Sequence, residues 1–198
     1  WSSDVCSSDL KTNPNVRGLV GAHASFTLSN ESLKLCGEMA SKYKTGVHIH
    51  TAEDKCDVTD AEENYQSSVV DRLSRYKILK KESILAHCVH LTKRDMPKIH
   101  DAKCWLVHNP RSNTNNRVGY APVHLFGERV AMGTDGFPAD MFVEAKVGFF
   151  RRQEEGGRSE VRGLRFENVS LPNVLHNGQK MISEIFGKKF GTFEKGSV

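Results

Sequence analysis

Short apolar runs recur along the chain, each closing in a polar or small residue suited to a turn. They are Gly18-Leu-Val-Gly-Ala22, Gly46-Val-His-Ile-His50, Ser83-Ile-Leu-Ala-His87, Cys104-Trp-Leu-Val-His108 and Arg129-Val-Ala-Met-Gly133. Runs this short with β-branched content read as buried parallel strands. The segments between them carry a helical period. Ser29 or Asn30 can cap a helix that places Leu33, Cys36, Met39 and Ala40 on one face. Thr59 followed by Glu62 makes a capping-box pattern, and Ala61, Tyr65, Val69, Leu73 and Tyr76 continue it as one apolar stripe. Weaker patterns predict helices over 93–101, 139–152 and 174–186. Strand alternating with helix is the signature of an α/β fold with right-handed crossovers.

Composition narrows the class. The chain has 198 residues, 38% of them hydrophobic, and no apolar run approaches the roughly 18 residues that span a bilayer. The formal charge of +4 sets 28 basic against 24 acidic residues. The arginine-rich stretch 150–165 interleaves Glu154, Glu155 and Glu160, which reads as a solvated loop and not as a nucleic-acid surface. Five cysteines, none spaced C-x-x-C, argue against a disulfide framework and point to a reducing cytoplasm. Trp1–Leu10 matches no signal, transit or structural pattern; it is expected to be a non-native tail, with the barrel-type domain occupying 11–198.

The polar residues at the strand ends carry the chemistry. His23, His50, His87, His108 and Asp135 each stand at or just past the C-terminal end of a predicted strand, with gaps of 21 to 37 residues. A (β/α)₈ barrel spends about 31 residues on each βα unit and gathers its strand ends on one site. Neutral imidazoles and a carboxylate are natural ligands for zinc or a similar ion. A single strand-end histidine is as readily a turn residue as a ligand. Five in succession are harder to explain as turns.

In order and spacing, His50-Thr-Ala-Glu53, Ala86-His-Cys-Val-His90, His108-Asn-Pro-Arg-Ser-Asn113 and Gly133-Thr-Asp-Gly136 resemble strands five to eight of the amidohydrolase superfamily, in its chlorohydrolase and aminohydrolase branch. The resemblance implies a partial TIM-like (β/α)₈ barrel covering about strands 4 to 8 with their helices. It implies His50 and Asp135 as metal ligands, and Glu53, His87 and Asp135 as catalytic residues, Glu53 being the proton shuttle. His23, Arg111 and Asn113 would face the substrate. The cofactor would be one divalent ion, zinc before iron, and the partner a small nitrogen-rich heterocycle that loses ammonia, with no nucleic acid or membrane involved. Dechlorination or amide hydrolysis at the same site, and a non-catalytic α/β binding domain, are the alternatives. The sequence is silent on whether the parent protein is a homo-oligomer. His48 and His50 could be mistaken for the first-strand H-x-H ligand pair, but the glutamate after His50 and the register of the later motifs place both on strand five. That pair then has no counterpart, so the chain alone is expected to bind metal weakly, to be inactive and to aggregate through unpaired strand edges.

Overall fold

Five parallel strands lie side by side in chain order: β1 (Val20–Ala24), β2 (Val47–Thr51), β3 (Ile84–His87), β4 (Trp105–His108) and β5 (Val130–Met132). A computed structural model describes residues 13–158 and 171–191, so Trp1–Leu10 falls outside the described residues. A doubly wound sheet would reverse its strand order at a switch point. Sequential order with helical crossovers is the arrangement of a barrel wall.

The helices are α1 (Asn30–Lys42), α2 (Lys55–Tyr65), α3 (Val69–Arg75), α4 (Met96–Ala102), α5 (Pro110–Asn115), α6 (Met141–Arg158) and α7 (Leu171–Phe186). Ser29 caps α1 as expected, its hydroxyl accepting from the Ser32 amide at 3.2 Å. The capping box expected at Thr59 does not form. Asp54 caps α2 instead, accepting from the Cys56 amide at 3.0 Å, which puts Thr59 inside the helix. The stripe from Ala61 to Tyr76 divides between two helices, because Gln66 turns left-handed at φ 48° and Ser68 starts α3 with a cap of its own. The segment containing Arg111, Ser112 and Asn113 forms the short helix α5, opened by Pro110.

Alternation sorts the strands into two faces. Val47, Ile49, Leu85, Leu106 and Val130 join Leu33, Leu73, Ile99 and Phe126 in the main core, on the side the helices cover. Each such fully buried side chain contributes about 1.5–3 kcal/mol. Ile84, Trp105, Val107 and Ala131 form a smaller cluster on the other face, packed by Leu19, Met181 and Ile185. Helix α7 therefore reaches around β5. Its Asn177 amide donates to the carbonyls of Glu128 and Val130 at 2.9 Å, which covers part of one of the two sheet edges. No helix among the described residues is long and apolar enough to cross a membrane.

Candidate metal-binding active site

The strand ends turn sharply, and those turns aim the side chains. After β2 the chain passes through Ala52 at φ 48°, and after β3 through His87 and Cys88 at 69° and 55°. Asp135, just past β5, sits at 51°. A left-handed non-glycine residue is strained by roughly 1–2 kcal/mol and persists only where its surroundings fix it. At β3 they do: the Cys88 amide donates to the Thr51 carbonyl at 3.0 Å, and the His90 amide to the Ala52 carbonyl at 2.9 Å.

Glu53, His50 and His87 converge. The Glu53 Oε2 atom lies 3.6 Å from His50 Nδ1 and 3.5 Å from His87 Nε2. The His50 and His87 rings meet edge to face at 4.8 Å, and His23 approaches His50 at 5.2 Å. One ligand atom from each of His50, Glu53 and His87 falls within 4.8 Å of the others. Two imidazoles and a carboxylate so close together fit a divalent transition ion.

The neighbours set the protonation states. Asn113 Oδ1 lies 2.9 Å from His87 Nδ1, so an Nδ1–H would donate to it while Nε2 faces Glu53. Burial lowers the His50 pKa, and His87 adds to that effect against the opposing pull of Glu53 and Asp135. Both shifts keep the imidazole neutral and able to ligate. Asp135 titrates below its ordinary value, chiefly because the Ser112 hydroxyl donates to it, with His87 and His50 also favouring the carboxylate. His50 and Asp135 shift each other, which places Asp135 in the electrostatic neighbourhood of the site, although it lies outside the tight group of three.

The three residues expected to face the substrate stand in different surroundings. His23 is exposed, with its Nδ1 3.0 Å from the Thr27 hydroxyl, and its ring is free to face a ligand. Arg111 commits its Nε to Glu144, which is fully buried, and its Nη2 to the Pro138 carbonyl at 2.7 Å. Asn113 is buried against His87. The first of these can meet a substrate directly; the other two are engaged with Glu144 and Pro138 and with His87. His108, the fourth of the strand-end histidines, does not join them. It points to the helix-covered side with Leu106, stacks edge to face on Tyr120 at 5.2 Å, and lines a cavity of about 40 Å³ with Val130, Met132 and Val174. Asn116, not singled out in the sequence, reaches Glu53 Oε1 at 3.4 Å from the end of α5. The asparagine-rich tract after Pro110 was the available signal.

A model of the amidohydrolase family matches residues 8–168. The chain belongs to the amidohydrolase family. It is 36% identical over 129 residues to the 5-methylthioadenosine/S-adenosylhomocysteine deaminase of Caldanaerobacter subterraneus subsp. tengcongensis, an alignment covering 64% of this chain and 30% of that enzyme. The enzyme of the same name from Acetivibrio thermocellus is 33% identical over 195 residues, covering 95% of this chain and 44% of the relative. Among solved structures, an adenosine deaminase from Xanthomonas campestris with bound zinc superposes with a TM-score of 0.81 at 21% identity, over 96% of this chain and 44% of that one. The chain thus spans less than half the length of these amidohydrolase relatives, and the shared fold is the (β/α) barrel of the family.

Proposed function

We propose that this amidohydrolase chain carries the proton-transfer and part of the metal-binding machinery of a hydrolytic deaminase acting on an amino-substituted nitrogen heterocycle, with an adenine-type base as the first candidate. The observation that carries the reading is the Glu53 carboxylate held at 3.5–3.6 Å from the imidazoles of both His50 and His87. The names of the relatives favour the substrate class. The free cysteines Cys36, Cys56, Cys88 and Cys104 suit a reducing cytoplasm.

His50 and Asp135 would hold the ion, zinc in the first instance. When bound, such an ion acidifies a water to a pKa of about 7. The chain's own groups do the rest. Glu53 accepts a proton as the water oxygen bonds to the ring carbon that bears the amino group. It then gives that proton to the amino nitrogen as the C–N bond breaks, so ammonia leaves and the ring keeps oxygen. His87, with Nδ1–H fixed on Asn113, orients the attacking water through Nε2. Ser112 and the left-handed turn at Asp135 keep that carboxylate ionised and aimed. His23 faces the base.

The test pairs ammonia release from a panel of aminopurine nucleosides with metal content. The zinc-replete full-length parent should release ammonia, and Glu53→Gln in that parent should lose at least about 100-fold in kcat while retaining its zinc. A zinc-replete wild-type parent that releases ammonia from no member of the panel would overturn the reading, as would full activity in Glu53→Gln.

A further inference from the structure

Asp57 is a buried carboxylate that the chemistry above does not use. It lies in the first turn of α2 and is 1% exposed, yet among the described residues its side chain bonds to no metal-site side chain and no side-chain cation. Its two oxygens go to backbone amides from two different strand-end turns. Oδ2 accepts from the Ala52 amide at 2.7 Å, and Oδ1 from the Phe26 amide at 3.2 Å. Ala52 is the left-handed residue between His50 and Glu53. Phe26 lies in the 3₁₀ turn Ser25–Thr27 that follows His23, and Thr27 of that turn meets the His23 ring.

The second turn has an additional anchor. Arg72, 0% exposed, donates through Nη1 to the Ser25 carbonyl at 2.5 Å and hydroxyl at 2.8 Å, and through Nη2 to the Leu28 carbonyl at 2.7 Å. Its guanidinium also stacks on Tyr65 at 3.5 Å. The turn after β1 is thus pinned to the helical layer by Arg72, and the turn after β2 is pinned to it by Asp57. Alanine does not choose a left-handed backbone unaided. Removing the bond from Asp57 would release Ala52 toward an ordinary φ and swing the Glu53 side chain away from His50 and His87.

We propose that Asp57 is a positioning residue, a brace that sets the Glu53 proton shuttle and the His23 substrate face at a fixed separation by bonding both turns at once. The role rests on the deaminase reading only for its catalytic consequence; the mechanical part stands on the two bonds alone. Asparagine keeps the shape but offers one oxygen and turns an amide N–H₂ toward a donor. Glutamate keeps both oxygens on a longer arm.

The experiment compares, in the full-length parent, wild type, Asp57→Asn and Asp57→Glu by hydrogen–deuterium exchange of peptides covering 24–28 and 50–54, by zinc content, and by kcat and KM for ammonia release. In Asp57→Asn both peptides should exchange at least about tenfold faster. The kcat should fall about 100-fold, the effect of roughly 1 Å of misplacement, with KM changed less than about threefold and zinc retained. Asp57→Glu should recover part of both losses. Unchanged exchange in either peptide, or an unchanged kcat per mole of folded protein, would overturn the proposal. Should Asp57→Asn not fold, Asp57→Glu decides alone: faster exchange in both peptides with a lowered kcat supports the brace, and wild-type values for either overturn it. Wild-type protein without ammonia release would defeat the deaminase reading, while the exchange measurement would still decide the brace.

Discussion

Replacing His108 with leucine should raise stability, and should raise it more in acid. The ring is 3% exposed, and neither nitrogen has a hydrogen-bond partner among the described residues. An orphaned buried polar group costs about 1–3 kcal/mol, so Leu, of similar size and without polar atoms, should stabilise by about that much at pH 7. Burial, with a smaller contribution from His87, also pushes the His108 pKa from 6.5 down to about 3. The unfolded chain therefore takes up a proton below about pH 6.5 that the folded chain refuses until about pH 3. Stability from this group is complete above that window and is lost as pH falls through it. One pKa unit is worth about 1.4 kcal/mol, so the fall from pH 7 to pH 5 costs about 2 kcal/mol. The wild-type profile alone will not show this. Asp57, raised to about 6 mainly by burial, is protonated in the folded state between about pH 6 and 4 while the unfolded chain is not, and it contributes about 1 kcal/mol in the opposite sense over the same interval. The difference between wild type and His108→Leu cancels that contribution. Urea unfolding followed by the fluorescence of the fully buried Trp105 should give a gap about 2 kcal/mol wider at pH 5 than at pH 7. Parallel profiles, with the same gap at both pH values, would refute the assignment of His108 as an unpartnered neutral imidazole.

Arg111→Ala should destabilise by about 3–5 kcal/mol, because it strands the fully buried Glu144 carboxylate. It should also weaken zinc binding in calorimetry, since Arg111 grips the Pro138 carbonyl in the loop that carries Asp135; a loss below about 1 kcal/mol would mean that the pair is not buried as described. Gly46→Ala should cost about 2–3 kcal/mol or more in the same urea assay, because the new Cβ would stand 2.1 Å from the Glu82 carbonyl oxygen in main-chain structure that cannot step aside. A variant within about 0.5 kcal/mol of wild type would show that the two segments are not in contact.

The strands were legible because their signal is local. Val47 and Ile49 are β-branched residues at alternate positions of a run bounded by turn residues and too short for a helix. The long helices were legible but not their joints, and the short helix α5 was not foreseen. The stripe from Ala61 to Tyr76 keeps its period across the break at Gln66, a residue whose left-handed backbone nothing in the local sequence announces. Buried polar anchors such as Asp57, Arg72 and Glu144 were invisible for a related reason: their partners are main-chain groups or side chains tens of residues away.

The two histidines at the ends of β3 and β4 show where local reading stops. Ile-Leu-Ala-His87 and Trp-Leu-Val-His108 are the same pattern, and strict alternation sends both histidines to the helix-covered side. Only His87 escapes. The residue types that follow would have suggested the reverse, since Asn109 is the residue that tolerates a left-handed backbone and Cys88 is not. Yet Asn109 sits at φ −117° and Cys88 at 55°. The neighbouring strand end decides the matter. Beside β3, the Thr51 and Ala52 carbonyls of the H-x-x-E turn take the Cys88 and His90 amides and hold the reversal that swings His87 to Glu53. Beside β4, the Gly133 amide donates to the His108 carbonyl at 3.1 Å, adding one more regular rung to the ladder. Alternation then continues, and His108 stays in the apolar layer. His87 becomes a site residue because the turn after β2 captures the Cys88 and His90 amides that follow it, a condition written in a different part of the chain.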